Sequence, residues 1–434
     1  MRVVLAPMNF ASMPVTIVQE LKRRGYDAKH VQYMAGVNHK FGFSLDHIAN
    51  YKEHGGRVST QFMVLDQLIK ENWDIFHFWN KSLLFRGDGE DFTGLDLPLL
   101  KARGRRIAHR FTGFDLRLPS WDMAVNEHSP FFHGAVTPWE ESLQKAYMGF
   151  LREYVDQFVV QDPELQQHFP EARIIPRALD LEKWDFVGIS NTKRRPLVVH
   201  APTNEAYKGS KFVIEAVEAL QAEGVPFDFK MIKDLSLDEA RRYYKEADVI
   251  VDQLLIGSTG VLTLEAWALG KPCVVYLQPG LFEKFYKTDD VPVVNANPSN
   301  IKDQLRMIIG DVGRREELSY RGRELVENFH DIRTVIDQFV DMYKGMMERP
   351  LHLPTGSGDI EYLKWHFQKM AKQEANARNF ERRFKEQRVE FRRYKQRVEK
   401  VMPPQRDLTS VEVIYRAARR LVRRVLKGIK KKSR

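Results

Sequence analysis

Short apolar runs alternate with helical periodicity along most of the chain. Runs at 3–6, 74–79, 106–111, 156–160 and 172–177 form one set, and 196–202, 227–232, 249–251, 273–277 and 292–294 a second. Each is brief, rich in Val, Ile or Phe, and bounded by polar, Gly or Pro residues. Such runs read as parallel strands buried on both faces. Helical periods lie between them. Pro14 opens one, Val15, Val18 and Leu21 share a face, and Arg24-Gly25 stops it. Further helices are expected from 210 to 220 and over 236–246, 298–310, 314–328 and 331–347. The clearest unit spans 247–276. It has a strand at Val249-Ile250-Val251, a turn at Gly257-Ser258-Thr259-Gly260, and a helix with Val261, Leu262, Leu264, Ala266 and Trp267 apolar. Gly270 and Pro272 stop that helix, and a second strand begins at Cys273.

The alternation predicts an α/β chain with two Rossmann-like, parallel-sheet domains, 1–187 and 188–330. Residues 181–195 read as the linker between them. A helix over 331–350, a coiled-coil-like helix over 359–402 and a basic amphipathic helix over 407–434 follow. The length of 434 residues accommodates two domains and an extension. No apolar run is long enough to span a bilayer, and the first residues lead straight into a strand, so no signal peptide is expected. The single cysteine, Cys273, falls in a strand and reads as a core thiol in a reducing compartment. A cytoplasmic protein is the expectation.

The net charge of +10 is a property of one segment. Residues 1–359 carry 44 Lys+Arg against 50 Asp+Glu, and residues 360–434 carry 24 against 8. His77, His109, His128 and His133 lack the spacing of metal ligands, so no metal site is expected. Trp121 and Trp139 read as packing residues more readily than as an acceptor groove.

The helix opening at Gly260-Val261 offers free backbone N–H groups and the positive end of the macrodipole, a cradle for a phosphate. Glu265 lies one to two turns in, within reach of ribose hydroxyls. An ordinary βαβ crossover with a Gly-rich turn accounts for the same spacing. The stretch Glu265-Ala266-Trp267-Ala268-Leu269-Gly270-Lys271-Pro272, however, resembles the E-A-x-A-x-G-x-P signature of retaining GT-B glycosyltransferases, especially glycosyltransferase family 4. Gly113, Asp115 and Arg117 match that family's H-G-S-D-x-R segment, with Thr112 in place of the histidine. Lys208-Gly209 matches the second half of its basic loop, with no arginine between His200 and Lys208. The first of the family's two spaced glutamates is Gly257 here, and the Gly-Gly pair of the first loop is Ser12-Met13, to which no contact is assigned.

The resemblance implies a nucleotide-sugar donor in the second domain, a glycan or lipid-linked acceptor in the first, and the 331–350 helix crossing back to the first domain. It implies retention of configuration with no metal and no further cofactor. Asp115, Lys208 and Glu265 are then the catalytic candidates. Thr203, Asn204, Lys208, Gly257, Ser258, Thr259, Gly260, Val261 and Glu265 would hold the donor, and Gly113, Asp115 and Arg117 the acceptor cleft. A scaffold that kept the fold and lost transfer is the alternative from another class. An epimerase or phosphorylase-like enzyme is a third.

Residues 361–400 contain no Gly or Pro. Phe384, Phe391 and Val398 repeat at seven, and Phe380, Gln387, Tyr394 and Val401 repeat in the complementary phase. That is a coiled-coil seam, open to self-association or to folding back on the body. After Pro403-Pro404, Ile414, Ala418, Leu421, Val425 and Ile429 mark an aliphatic stripe. Arg416, Arg419, Arg420, Arg423, Arg424 and Lys427 flank it. An apolar stripe with a cationic flank suits the anionic inner face of a membrane. Nucleic acid is the less favoured partner, and a solvated tail the plainest account.

Overall fold

β1 (Arg2–Ala6), β2 (Asp27–Met34), β3 (His47–Asn50), β4 (Ile75–Trp79), β5 (Arg106–Arg110), β6 (Gln157–Val160) and β7 (Arg173–Ile174) form one parallel sheet, ordered β3-β2-β1-β4-β5-β6-β7. The computed structural model describes residues 1–34, 47–85, 93–136, 140–190, 195–355 and 358–401. Successive side chains of a strand point to opposite faces. On β4, Phe76 and Phe78 join a core with Ile107, Tyr147 and Leu151. Ile75 and Trp79 join the opposite core, with Val3, Leu5, Ile17 and Ala108. Burial on both faces is why such strands read as unbroken apolar runs.

β8 (Leu197–His200), β9 (Asp228–Met231), β10 (Val249–Val251), β11 (Cys273–Val275) and β12 (Val294–Asn295) form the second parallel sheet, ordered β12-β11-β10-β8-β9. Val249 and Val251 pack with Val213 and Leu305, and Ile250 packs on the other side with Tyr244 and Trp267. The α/β class with two parallel sheets is therefore the observed architecture. The Cys273 thiol is buried within β11.

The helix Ile332–Glu348 follows the second sheet in sequence but packs on the first. Its Val335, Ile336, Phe339 and Tyr343 lie against Val3, Leu5 and Ala108. The Tyr343 hydroxyl is 2.7 Å from His77 Nδ1. Where the chain crosses, Leu179 N donates to His330 O and Ile332 N to Leu179 O. The 181–188 stretch, read from its polar composition as linker, belongs to the second body. Leu181 and Trp184 are buried in that core, and Val187 and Gly188 donate to Leu269 O.

Asp359–Val401 is one helix of 43 residues. Its first turns dock on the first body. Tyr362 is buried, stacks on Phe150 at 4.5 Å, and donates to Thr93 O at 2.6 Å. Beyond His366 the apolar side chains lose their cover, and Phe380 and Phe391 are about half exposed. Among the described residues, no helix is long and apolar enough to cross a membrane. The amphipathic segment at 407–434, with Arg416, Arg419, Arg420, Arg423, Arg424 and Lys427, lies outside the described residues.

Candidate functional site

The C-terminal ends of the two parallel sheets face each other across a cavity of about 420 Å³. Strand ends are where open α/β sheets leave room for ligands, because the following loops splay apart there. Asn126 Nδ2 donates to Leu255 O at 2.8 Å, and Ser258 Oγ to Asp162 Oδ2 at 2.8 Å, tying the two walls together.

The first wall comes from the loop after β1 (Asn9, Phe10, Ala11, Met13), from Trp79 and Arg110 at the ends of β4 and β5, and from Thr112, Gly113, Phe114, Arg117, Gln161 and Arg177. Arg110 lies 4.8 Å over the Trp79 ring. Asp115 corrects the sequence reading of a catalytic cleft acid. It does not line the cavity. Its carboxylate accepts from the main-chain N–H of Thr112 and Gly113 and braces its own turn. Arg117 reaches the cavity but binds Glu164 through two hydrogen bonds, at 2.8 and 2.6 Å. Burial alone would raise the Glu164 carboxyl. The Arg117 charge and bonds outweigh it and bring it down to about 2.

Asp122, Glu164 and His168 are three potential metal ligands whose atoms lie within 4.8 Å of one another, a cluster their sequence spacing did not reveal. Arg117 already neutralises Glu164 there, and His168 Nε2 stands 3.7 Å from both carboxylates. A guanidinium in that position repels a divalent cation, so the cluster reads as a buried charge network.

On the second wall Asp252 is the hub. It is fully buried just past β10. Its Oδ1 accepts from Lys208 Nζ at 2.5 Å. Its Oδ2 accepts from Gly260 N at 3.1 Å, Thr263 N at 3.2 Å and Thr263 Oγ1 at 2.7 Å. The helix Val261–Ala268 therefore begins on a carboxylate supplied by its own domain. Gly260 is glycine because a Cβ there would sit 2.2 Å from Asp252 Oδ2. Lys208 also donates to Gln253 Oε1 at 3.0 Å. The lysine expected to meet a diphosphate, and two of the amides at the helix start, are thus already bonded to Asp252.

Glu265 stands in the cavity, 7% exposed. Among the described residues no group hydrogen-bonds its carboxyl. Burial pushes its pKa up to about 8, with the charge of Asp252 adding to the rise and Arg241 and Lys208 opposing it.

Thr203, Lys208, Gly260, Val261, Glu265, Gly113 and Arg117 thus line the cavity. Four other donor candidates stand outside its lining. Asn204 caps the short helix Glu205–Lys208, accepting from Ala206 N and Tyr207 N. Gly257 turns with a positive φ of 76° where a Cβ would meet Gln278. Ser258 is bonded to Asp162, and Thr259 is buried. Sequence reasoning missed Asp252, Gln253, Tyr244, Trp79, Arg110 and Arg177. It also declined a contact for the loop at Met13, which the structure places in the cavity wall.

No protein-family model matches the chain. An uncharacterized glycosyltransferase of Methanocaldococcus jannaschii is 30% identical over 112 residues, which is 26% of this chain and 29% of that protein. Solved structures are similar over much more of the length. A glycosyltransferase of Rickettsia africae aligns with a TM-score of 0.52 at 11% identity, covering 80% of this chain and 98% of that one. Sucrose-phosphate synthase of Thermosynechococcus elongatus aligns with a TM-score of 0.53 at 12% identity, covering 80% and 99%. Anabaena HepE, solved with UDP and glucose, aligns with a TM-score of 0.51 at 10% identity, covering 79% and 99%. With two parallel sheets facing across a cleft and a late helix returning to the first, the chain has the GT-B fold.

Proposed function

We propose that this chain is a glycosyltransferase. It takes a sugar from a nucleotide-sugar donor and passes it to a glycan or lipid-linked acceptor, with retention of configuration and without a resident metal. The observation that carries the reading is Glu265, a cavity carboxyl that no group among the described residues hydrogen-bonds, one turn into the helix Val261–Ala268. A carboxyl so placed suits the two hydroxyls of a ribose. The GT-B fold and the neighbour solved with UDP and glucose support a donor of this class.

In this reading the second wall holds the nucleotide, and the reaction releases a nucleoside diphosphate. Charge grows on that leaving group, and fixed dipoles and cations facing it lower the barrier. Asp252 already takes the amides of Gly260 and Thr263, so the diphosphate lies in front of the Lys208–Asp252 pair, beside Val261. Lys208 turns toward the phosphate as charge develops. Gly113 and the loop at Met13 shape the acceptor side, and Arg117 holds that wall through Glu164. Closure of the cleft keeps water from the donor.

The C-terminal segment would hold the enzyme on an anionic membrane at the cytoplasmic face, near a lipid-linked acceptor. The engagement of Lys208 with Asp252 favours one rival, a GT-B scaffold without transfer. Incubation of the full chain with a panel of UDP-, GDP- and ADP-sugars separates the two. Release of nucleoside diphosphate above the spontaneous rate supports the enzyme. Tight donor binding with no release from any sugar supports the scaffold.

A further inference from the structure

We propose that Arg110, Trp79 and Arg177 form an anion subsite on the first-domain wall, distinct from the donor's diphosphate, that takes a phosphate or carboxylate group of the acceptor. The proposal rests on the transferase reading of the cleft.

Arg110 is 1% exposed and lines the cavity from the end of β5. One guanidinium nitrogen, Nη2, donates to Ile175 O at 3.1 Å. The other, Nη1, is buried with no hydrogen-bond partner among the described residues, and so is Nε1 of Trp79 beneath it. Both orphans are donors, so what satisfies them is an acceptor. No carboxylate hydrogen-bonds Arg110 among the described residues. Asp162, the nearby acid, gives its oxygens to Arg177 at 2.8 Å, Ser258 at 2.8 Å and Leu165 N at 3.0 Å. Arg177 lines the same cavity, and among the described residues its guanidinium hydrogen-bonds only Asp162, through Nη1.

Two guanidinium groups, one of them hydrogen-bonded to no acid among the described residues, therefore line the same low-dielectric wall. Burial first, and then the Arg177 charge, push the Arg110 pKa down to about 9, more than the opposing charge of Asp162 restores. That is the mark of a cation short of a counter-charge. A buried charged donor left unmade is costly, and a forked guanidinium matches the paired oxygens of phosphate or carboxylate. The position selects the acceptor over the donor. Trp79, Arg110 and Arg177 all stand on the first body, whereas Lys208 and Glu265 stand on the second.

The test is calorimetric titration of the full chain with inorganic phosphate, alone and with the cleft saturated by UDP, GDP or ADP. The expected result is phosphate binding that persists under saturating nucleotide. Arg110→Met should weaken it by about tenfold or more, the value of one charged hydrogen bond. Trp79→Phe, which keeps the ring and removes the N–H, and Arg177→Gln should weaken it several-fold and leave nucleotide affinity unchanged. These two carry the test if Arg110→Met does not fold. Displacement of phosphate by the nucleotide overturns the proposal, because the anion site would then be the diphosphate's. Equal phosphate affinity in wild type and all three variants overturns it as well. If no nucleotide binds while phosphate binding still depends on Arg110, the transferase reading fails and the anion subsite stands.

Discussion

Replacing Glu265 by glutamine keeps the size of the side chain and removes its titration. In the unfolded chain a glutamate ionises near pH 4.3. In the folded protein burial holds the Glu265 proton until about pH 8. Between those values the folded state keeps a proton that the unfolded state has lost. Stability conferred by the raised pKa is thus fully present below the unfolded value and is lost as pH rises through the folded one. The slope is about 1.4 kcal/mol per pH unit, and the accumulated loss by pH 8 is roughly 2–5 kcal/mol, the lower end reflecting water in an open cleft. Glutamine carries no such loss. Urea unfolding at pH 5, 6, 7 and 8 should show the smallest difference at pH 5 and Glu265→Gln gaining progressively on wild type toward pH 8. The same variant tests the ribose contact. Only the ionised carboxylate accepts from both hydroxyls, so wild-type nucleotide affinity should rise with pH toward 8. Glu265→Gln should bind more weakly by about 1–3 kcal/mol with no such rise. A stability gap that stays constant from pH 5 to 8 refutes the buried proton. Equal, pH-independent nucleotide affinity refutes the ribose role.

Lys208→Met should destabilise by about 3–5 kcal/mol in urea, because it strands a buried Asp252, and Lys208→Met with Asp252→Asn should recover most of that. A single variant as stable as wild type would show that the pair is not structural. Gly260→Ala places a Cβ against Asp252 Oδ2 and should cost about 1–3 kcal/mol while weakening nucleotide binding, read by melting and calorimetry. An unchanged melt would mean that the helix start tolerates the methyl. If the long helix pairs with a second copy, Phe380→Ser with Phe391→Ser should shift sedimentation velocity from dimer to monomer, and an unmoved boundary rules the stripe out. Truncation after Pro404 should abolish flotation with anionic vesicles at low salt and leave transfer to a water-soluble acceptor intact. Continued flotation, or preference of the full chain for RNA, would contradict membrane binding through the tail.

The fold class was legible because parallel strands covered on both faces write unbroken apolar runs, as Val249-Ile250-Val251 does. Late helices such as Val312–Phe329 and Ile332–Glu348 were legible from periodicity and caps. β2 was not, because its buried face includes His30 and Gln32, and a polar side chain in a strand looks like a loop until its partners are known. Trp184 was hidden in the same way. It sits among acids and lysine in sequence, yet it is buried in the second core with the Arg241 guanidinium 4.2 Å from its ring.

The site divides along a sharper line. Motif spacing located turns faithfully and assigned their side chains poorly. Asp115 and Arg117 matched a signature, but the geometry that signature encodes is a turn. The acid closes on the turn's own amides, and the base closes on Glu164, 47 residues later. Arg110, without a motif, faces the cavity because it is the last residue of a strand in the middle of the sheet, with its neighbours fixed by pairing to β4 and β6. Lys208 was found from its loop, yet its partner Asp252 lies 44 residues away and carries no local pattern. Local sequence therefore encodes which turn forms. Which charge is left for a ligand depends on which charges the fold has already paired, and at this cleft, among the described residues, no group of opposite charge hydrogen-bonds Glu265 or Arg110.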